Sequence, residues 1–255
     1  MRGLDRVQRR EVCFHEAGHA VVFALGGVAV SRVAVAPEGA GEWRTPSGNG
    51  RTCSDLWGLC VKAELVLPRQ LLRWLMSEGA LSPDGSGYAK VLESPEGQAL
   101  VEALGPRQRR DIRAQMAGLL AGPLAERIFR GETAPTTVDA GQGDGAKARA
   151  LAALLGDPAE FAHAARLAEV ALREPARWAQ VGALAAALEA AGHVEAGIRG
   201  FLPAADPAWQ PAPPAGGGSH HGRSPARFAG ENTQDSASGR EIGRASCRER
   251  VSSPV

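Results

Sequence analysis

The sequence predicts a mainly α-helical fold with a small β-sheet, in the α+β class. Several long stretches carry apolar residues at three- and four-residue spacing, which is typical of packed helices, and one β-branched run follows the first of them. Of the 255 residues, 44% are hydrophobic, which is enough for a substantial core. We therefore expect one globular domain over residues 1–203 and a disordered tail over residues 204–255.

The first predicted helix covers residues 11–24, where small and apolar side chains predominate, as in a helix that is buried on several sides. Gly26-Gly27 ends it, because glycine readily adopts the conformations in which helices stop. Residues 28–35 are rich in β-branched side chains and partly alternate in polarity. This pattern predicts a strand that is closed by Pro37.

Later segments are predicted to be mostly helical. Residues 54–67 and 68–79 read as short helices, and the second has an apolar face for burial or docking that consists of Leu71, Leu72, Trp74, Leu75 and Met76. Proline and glycine punctuate the helices of the C-terminal half. These helices are predicted over residues 145–155, 158–173 and 175–191.

From about residue 204 the chain is rich in proline, glycine and serine and poor in apolar residues, which predicts disorder. The last part of this tail, from about residue 236, resembles translated adapter sequence. We expect residues 236–255 to be non-native and exclude them from functional reasoning.

The first helix carries an H-E-x-x-H pentapeptide, His15-Glu16-Ala17-Gly18-His19. Histidines four residues apart lie on one helical face, so both imidazoles can bind the same Zn²⁺. Glu16 then lies where it can take a proton from a metal-bound water. The alternative is a surface helix that carries two histidines by chance, and such a pentapeptide arises by composition in roughly one chain in a hundred of this length.

Three stretches resemble the peptidase domain of FtsH-type ATP-dependent zinc metalloproteases. Residues 11–37 match the family signature His-Glu-Ala-Gly-His-Ala and its following strand. Residues 107–131 are similar to the second core helix, which carries a Gly-x-x-Ala-Glu-Glu pattern, and residues 141–148 are similar to a Gly-rich turn, an aspartate and a helix. The resemblance covers about half of the chain or slightly more, and it implies a helical zinc-peptidase domain.

The resemblance implies that Asp144 is the third zinc ligand beside His15 and His19, since a catalytic zinc takes three protein ligands and keeps a fourth position open. Two alternatives stay open: Asp144 is a simple helix N-cap, or Asp139 in the same loop is the ligand. Glu126 is expected beside the site, accepting a hydrogen bond from a histidine ring and setting its tautomer. Its alternative is a solvated helix face.

The chain also departs from the family pattern. Arg127 stands where the family has its second glutamate, and Pro123 lies inside the core helix, where a kink would move Glu126. Residues 48–104 have no counterpart in the family and are interpreted as an insertion. In zinc peptidases, the strand after the metal-binding helix is usually an edge strand that pairs with extended substrate, and we expect the same of residues 28–35.

These features predict a zinc metalloendopeptidase that acts on unfolded or flexible polypeptides, with Glu16 as the general base. The alternative is a catalytically silent zinc-binding scaffold or adaptor. The sequence contains neither a phosphate-binding G-x-x-x-x-G-K-[ST] motif nor an apolar run of membrane-spanning length, so the ATPase module and membrane anchor of the family are expected to be missing. A separate ATPase chain could deliver substrate, and the oligomeric state stays open.

Composition excludes other classes of partner. A net charge of +1 argues against nucleic acid or a membrane surface. The four cysteines lack zinc-ribbon spacing and are expected to be free thiols in a reducing compartment. With no signal peptide at the start, these features predict a cytoplasmic protein, and the excess of alanine, glycine, arginine and proline suggests a GC-rich bacterial genome.

Overall fold

The computed structural model describes residues 4–40, 43–46, 52–53, 56–80, 86–132, 143–157, 159–206 and 209. Within these ranges the chain is mostly helical with a small antiparallel sheet, so the predicted α+β class is confirmed. Of the predicted tail, only residues 204–206 and 209 are described. The helices are α1 (Arg6–Leu25), α2 (Arg69–Ser77), α3 (Pro95–Glu102), α4 (Pro106–Phe129), α5 (Gly143–Ala153), α6 (Ala159–Arg173) and α7 (Pro175–Ala191), with 3₁₀ helices at Ser86–Glu93 and Ile198–Gly200.

The main sheet has three antiparallel strands, β1 (Val30–Val35), β4 (Gly58–Lys62) and β5 (His193–Val194), in the order β4-β1-β5. A separate two-stranded ribbon pairs β2 (Thr45–Pro46) with β3 (Thr52–Cys53). The prediction that β1 is an edge strand is wrong, because Val33 pairs with Cys60 on one side and with Val194 on the other. The β-branched residues of β1 are buried in the centre of the sheet, and β4 lies at one end of it.

The predicted helix over residues 54–67 is also wrong. Its middle forms β4, which pairs along β1 from Gly58 opposite Val35 to Lys62 opposite Val30. Long-range backbone pairing overrides a weak local helical pattern, since strand preference depends on neighbouring strands more than on the segment itself. The predicted helix over residues 68–79 is confirmed as α2, with Leu71 and Leu75 buried and Met76 exposed.

Helix α1 is the centre of the molecule. It begins earlier than predicted, at Arg6, because Asp5 and Gln8 form a capping box, in which each side chain accepts a hydrogen bond from the other residue's backbone N–H. It ends at Gly26, as predicted. Most residues of its second half are buried, since α4, α7 and the sheet all pack against it. A helix enclosed in this way holds any side chain on its buried face in one place.

Helix α4 crosses α1 at close range and continues through Pro123 to Phe129. At Gly18, an added Cβ would lie 2.5 Å from the Ala125 Cβ and 2.8 Å from the Ala121 carbonyl oxygen. The absence of that atom lets the two backbones approach. This approach brings the side chains of the H-E-x-x-H segment against α4.

Helices α5, α6 and α7 confirm the three C-terminal helices predicted from the sequence, to within a few residues at each end. Gly192 ends α7 in the left-handed conformation at φ 75°, where a glycine is favoured. A buried ion pair joins α6 to α4, with Arg113 Nε 2.9 Å from Glu160 Oε2. In the described part of the chain, no helix combines the length and apolarity that a membrane span needs.

Candidate metal centre

Three side chains from α1 and α5 converge at the centre of the fold. His15 and His19 lie one turn apart on α1, and Asp144 lies in the first turn of α5. The two histidine Nε2 atoms are 2.9 Å apart, and Asp144 Oδ2 lies 3.3 Å from the first and 3.2 Å from the second. All three residues are buried. This group could hold a metal ion.

Hydrogen bonds on the far side of each ring orient the two histidines. Nδ1 of His19 lies 2.7 Å from the carbonyl oxygen of Gly118, which can only accept, so this nitrogen carries the proton. Nδ1 of His15 lies 2.8 Å from Oε1 of Glu126, and a carboxylate likewise favours a proton on the ring nitrogen. In the neutral form both Nε2 atoms therefore direct lone pairs at Asp144 Oδ2. Three electron-pair donors at such short range are stabilised by a cation.

The electrostatics of the cluster also favour positive charge beside the Asp144 carboxylate. Burial lowers the pKa of His15, but the carboxylates of Glu126 and Asp144 outweigh it and raise that pKa well above its ordinary value. Burial raises the pKa of Asp144, but the two histidines and Lys147 hold it well below its usual range. The cluster therefore favours an ionised carboxylate next to positive charge.

The donor set fits zinc in type and spacing. Zinc binds imidazole nitrogen and carboxylate oxygen at about 2.0–2.2 Å in a tetrahedral arrangement, which separates neighbouring ligand atoms by roughly 3.3 Å. The observed separations of 2.9–3.3 Å are close to that value. Gly122 of α4 borders the cluster, and a Cβ there would overlap Nε2 of His19 and lie 2.7 Å from Nε2 of His15. A glycine at this position keeps the space beside the ligand atoms free.

Asp144 is turned towards the histidines rather than capping its own helix. Its position is inside α5, which begins at Gly143, and its second oxygen, Oδ1, lies 3.5 Å from Nζ of Lys147. The structure therefore does not support the N-cap alternative. The rival ligand Asp139 lies outside the described residues.

Glu126 lies beside the site despite the departures in its helix. With Pro123 inside α4, the helix still carries the Glu126 carboxylate to His15, and its other oxygen lies 3.7 Å from Nη1 of Arg130. The neighbouring Arg127 instead donates to Glu132 at 2.8 Å. The Glu126 carboxylate thus bonds the buried His15 ring, while 24% of its side chain is exposed.

Glu16 is the most unusual group in the cluster. Its side chain is 0% exposed, and neither carboxylate oxygen has a hydrogen-bond partner in the part of the chain that the structure describes. Burial raises its pKa, and the nearby His15 and His19 only partly offset this effect. A buried carboxylate without a partner costs free energy, and such groups cluster at functional sites.

Sequence reasoning missed several residues that shape the site: Gly58, Gly118, Gly122, Arg130 and Lys147. The glycines at 118 and 122 are four apart on one helix, a spacing that signals close approach of another element along one face. Gly58 lacked such a signal, because its segment was assigned to a helix. Its contact with Glu16 depends on strand pairing over a long sequence distance.

Comparison of the chain with models of known protein families finds no match. Comparison with curated proteins also finds no match. The site is therefore interpreted from its own geometry and from the motif resemblance given above.

Proposed function

We propose that this protein is a zinc metalloendopeptidase, resembling the FtsH-type peptidase domain, that hydrolyses peptide bonds of unfolded or flexible polypeptides. One observation carries the proposal: two histidines and an aspartate converge with their ligand atoms 2.9–3.3 Å apart beside an unpaired, buried glutamate. A structural metal site requires the three ligands but has no use for the glutamate. A hydrolytic site requires both.

In this proposal, His15, His19 and Asp144 hold the metal. Zinc at such a site lowers the pKa of a water towards neutrality and polarises a carbonyl oxygen. Glu126 keeps the His15 ring in the tautomer that leaves Nε2 free to bind. Lys147 contacts the second oxygen of Asp144, so that Oδ2 alone faces the histidines.

Glu16 is the general base in this reaction. It accepts a proton as water attacks the scissile carbonyl carbon, and it then donates that proton to the amine as the C–N bond breaks. A raised pKa suits this role, because a base with a pKa close to the working pH can both take and return a proton. Burial supplies that shift here.

Strand β4 is the element that we expect to align the substrate. It lies at the end of the sheet, and its first residue, Gly58, contacts Glu16. An extended peptide that adds to this edge would run past the general base. The substrate must then be extended or flexible, and a separate ATPase chain is one source of unfolded polypeptide.

The second candidate is a catalytically silent zinc-binding scaffold. One observation favours it: His15, Glu16, His19 and Asp144 are each exposed by 4% or less, so a substrate has little access to them in this conformation. The two candidates agree on the metal ligands and differ only in whether Glu16 takes part in chemistry.

The test measures zinc content and cleavage of casein and of quenched fluorescent peptides by purified wild type and Glu16→Gln. We expect both proteins to bind one zinc and only the wild type to cleave, with a loss of at least about 100-fold. Arg173→Met removes a surface pair on α6 and serves as the matched control with full activity. Zinc binding without cleavage in the wild type would favour the scaffold, and cleavage by Glu16→Gln would remove the general-base role.

A further inference from the structure

Gly58 and Glu16 occupy adjoining space between β4 and α1. A Cβ built on Gly58 meets three atoms at closest range, and all three belong to Glu16: it overlaps Oε1 and lies 2.5 Å from Cγ and 2.7 Å from Cδ. The backbone of Gly58 is regularly paired opposite Val35, and Gly58 is not among the glycines with positive φ. Its strand conformation therefore suits any residue, and the three atoms nearest to an added Cβ all belong to the Glu16 side chain.

No hydrogen bond fixes the orientation of the Glu16 carboxylate. Neither oxygen accepts one from the described residues, so packing and the non-directional attraction of the two histidines hold the group in place. A glutamate side chain has three rotatable bonds, so an atom that fills its space forces it into another rotamer, at an energetic cost in a packed core. A single added methyl group on β4 is therefore enough to move it.

We propose that Gly58 is a positioning residue for Glu16: the absence of a side chain at Gly58 leaves the space that the carboxylate occupies beside His15 and His19. The consequence for catalysis rests on the proposed function, whereas the steric coupling between the two residues does not. Glycine at the start of β4 then sets the direction of the general base and leaves the metal ligands untouched.

The first test is a double-mutant cycle of Gly58→Ala and Glu16→Ala, read by equilibrium chemical unfolding of the zinc-loaded proteins. Gly58→Ala is expected to raise the unfolding constant about tenfold when Glu16 is present, because the core becomes overpacked. In the Glu16→Ala background, the same change is expected to alter it by less than about twofold. An equal effect in both backgrounds would overturn the proposal.

Two glycines provide controls. Gly122→Ala crowds the histidine rings instead of Glu16, so it is expected to lose zinc in both backgrounds. An added Cβ at Gly182 meets nothing within 4 Å, so Gly182→Ala is expected to leave the zinc content and the coupling between positions 58 and 16 unchanged.

If Gly58→Ala fails to fold, recovery of folding in the double variant with Glu16→Ala supports the proposal. Failure of that double variant to fold as well overturns it.

The second test separates this inference from the proposed activity. In an active enzyme, Gly58→Ala is expected to retain stoichiometric zinc and an unchanged KM while kcat falls at least about 100-fold, as for loss of a general base. Coupling in the unfolding cycle without any wild-type cleavage would refute the proposed activity and leave the positioning role intact. Unchanged kcat in a cleaving Gly58→Ala protein would refute the positioning role.

Discussion

Replacing Glu16 with methionine is expected to stabilise the metal-free protein. Glu16 is completely buried, and both of its carboxylate oxygens lack a hydrogen-bond partner among the described residues. Burying such a group costs free energy that folding must offset. Functional sites commonly retain groups of this kind at the expense of stability.

The expected magnitude comes from one gain and two smaller losses. Leaving a buried polar group unsatisfied costs about 1–3 kcal/mol, and replacement by an apolar group of similar shape recovers this cost. Methionine is similar to glutamate in length but somewhat larger, so a repacking penalty of about 1 kcal/mol is expected, at the low end for an overpacked core. The attraction between the Glu16 carboxylate and the two histidines reduces the gain further. A net increase of about 1 kcal/mol in the free energy of unfolding is expected.

The assay is urea unfolding of the wild type and Glu16→Met near neutral pH, in the presence of a chelator. Glu102→Met on α3 is the matched control, because Glu102 is exposed and its replacement should change the stability by less than about 0.5 kcal/mol. Destabilisation by Glu16→Met relative to this control would show that the carboxylate has a stabilising partner. In that case the reasoning from an unpaired buried charge would be wrong.

Three other predictions test the ligand set, the core and the pH dependence. Asp144→Ala removes one of the three proposed ligands, so zinc affinity in a competition assay with a chromogenic chelator is expected to fall by more than about 100-fold. An unchanged affinity would exclude Asp144 as a ligand. Arg113→Met leaves Glu160 buried without its partner and should lower the free energy of unfolding in urea by about 3–5 kcal/mol. Replacing both residues with methionine should leave the stability nearly unchanged. Equal losses in the two proteins would contradict this prediction. Tyr88 is the only tyrosine, and burial raises its pKa above 10.0 in the folded protein. Above that pH the folded state therefore binds more protons than the unfolded state, so the free energy of unfolding falls as pH rises. In an alkaline absorbance titration, the midpoint of Tyr88 ionisation should lie above 10 in the folded protein and return to about 10 in denaturant.

The sequence predicted the features that depend on neighbouring residues. The spacing of His15 and His19 places them on one helical face in any α-helix, because the helical period is a local property of the chain. Proline at the start of α7 and glycine at its end likewise set its limits through backbone geometry alone. The α+β class followed from such patterns, summed along the chain.

Tertiary structure determined which distant residues of the chain became neighbours. Asp144 is 125 residues from His19, and only the packing of α5 against α4, which itself packs on α1, brings its carboxylate within 3.2 Å of that ring. The pairing of β4 with β1 makes residues 58–62 a strand where a helix was predicted, and it places Gly58 against Glu16. With β5 paired on its other side, β1 is the central strand. Strand pairing and ligand convergence are interactions between distant residues, so their energies appear only when the whole chain is folded, and no local pattern records them.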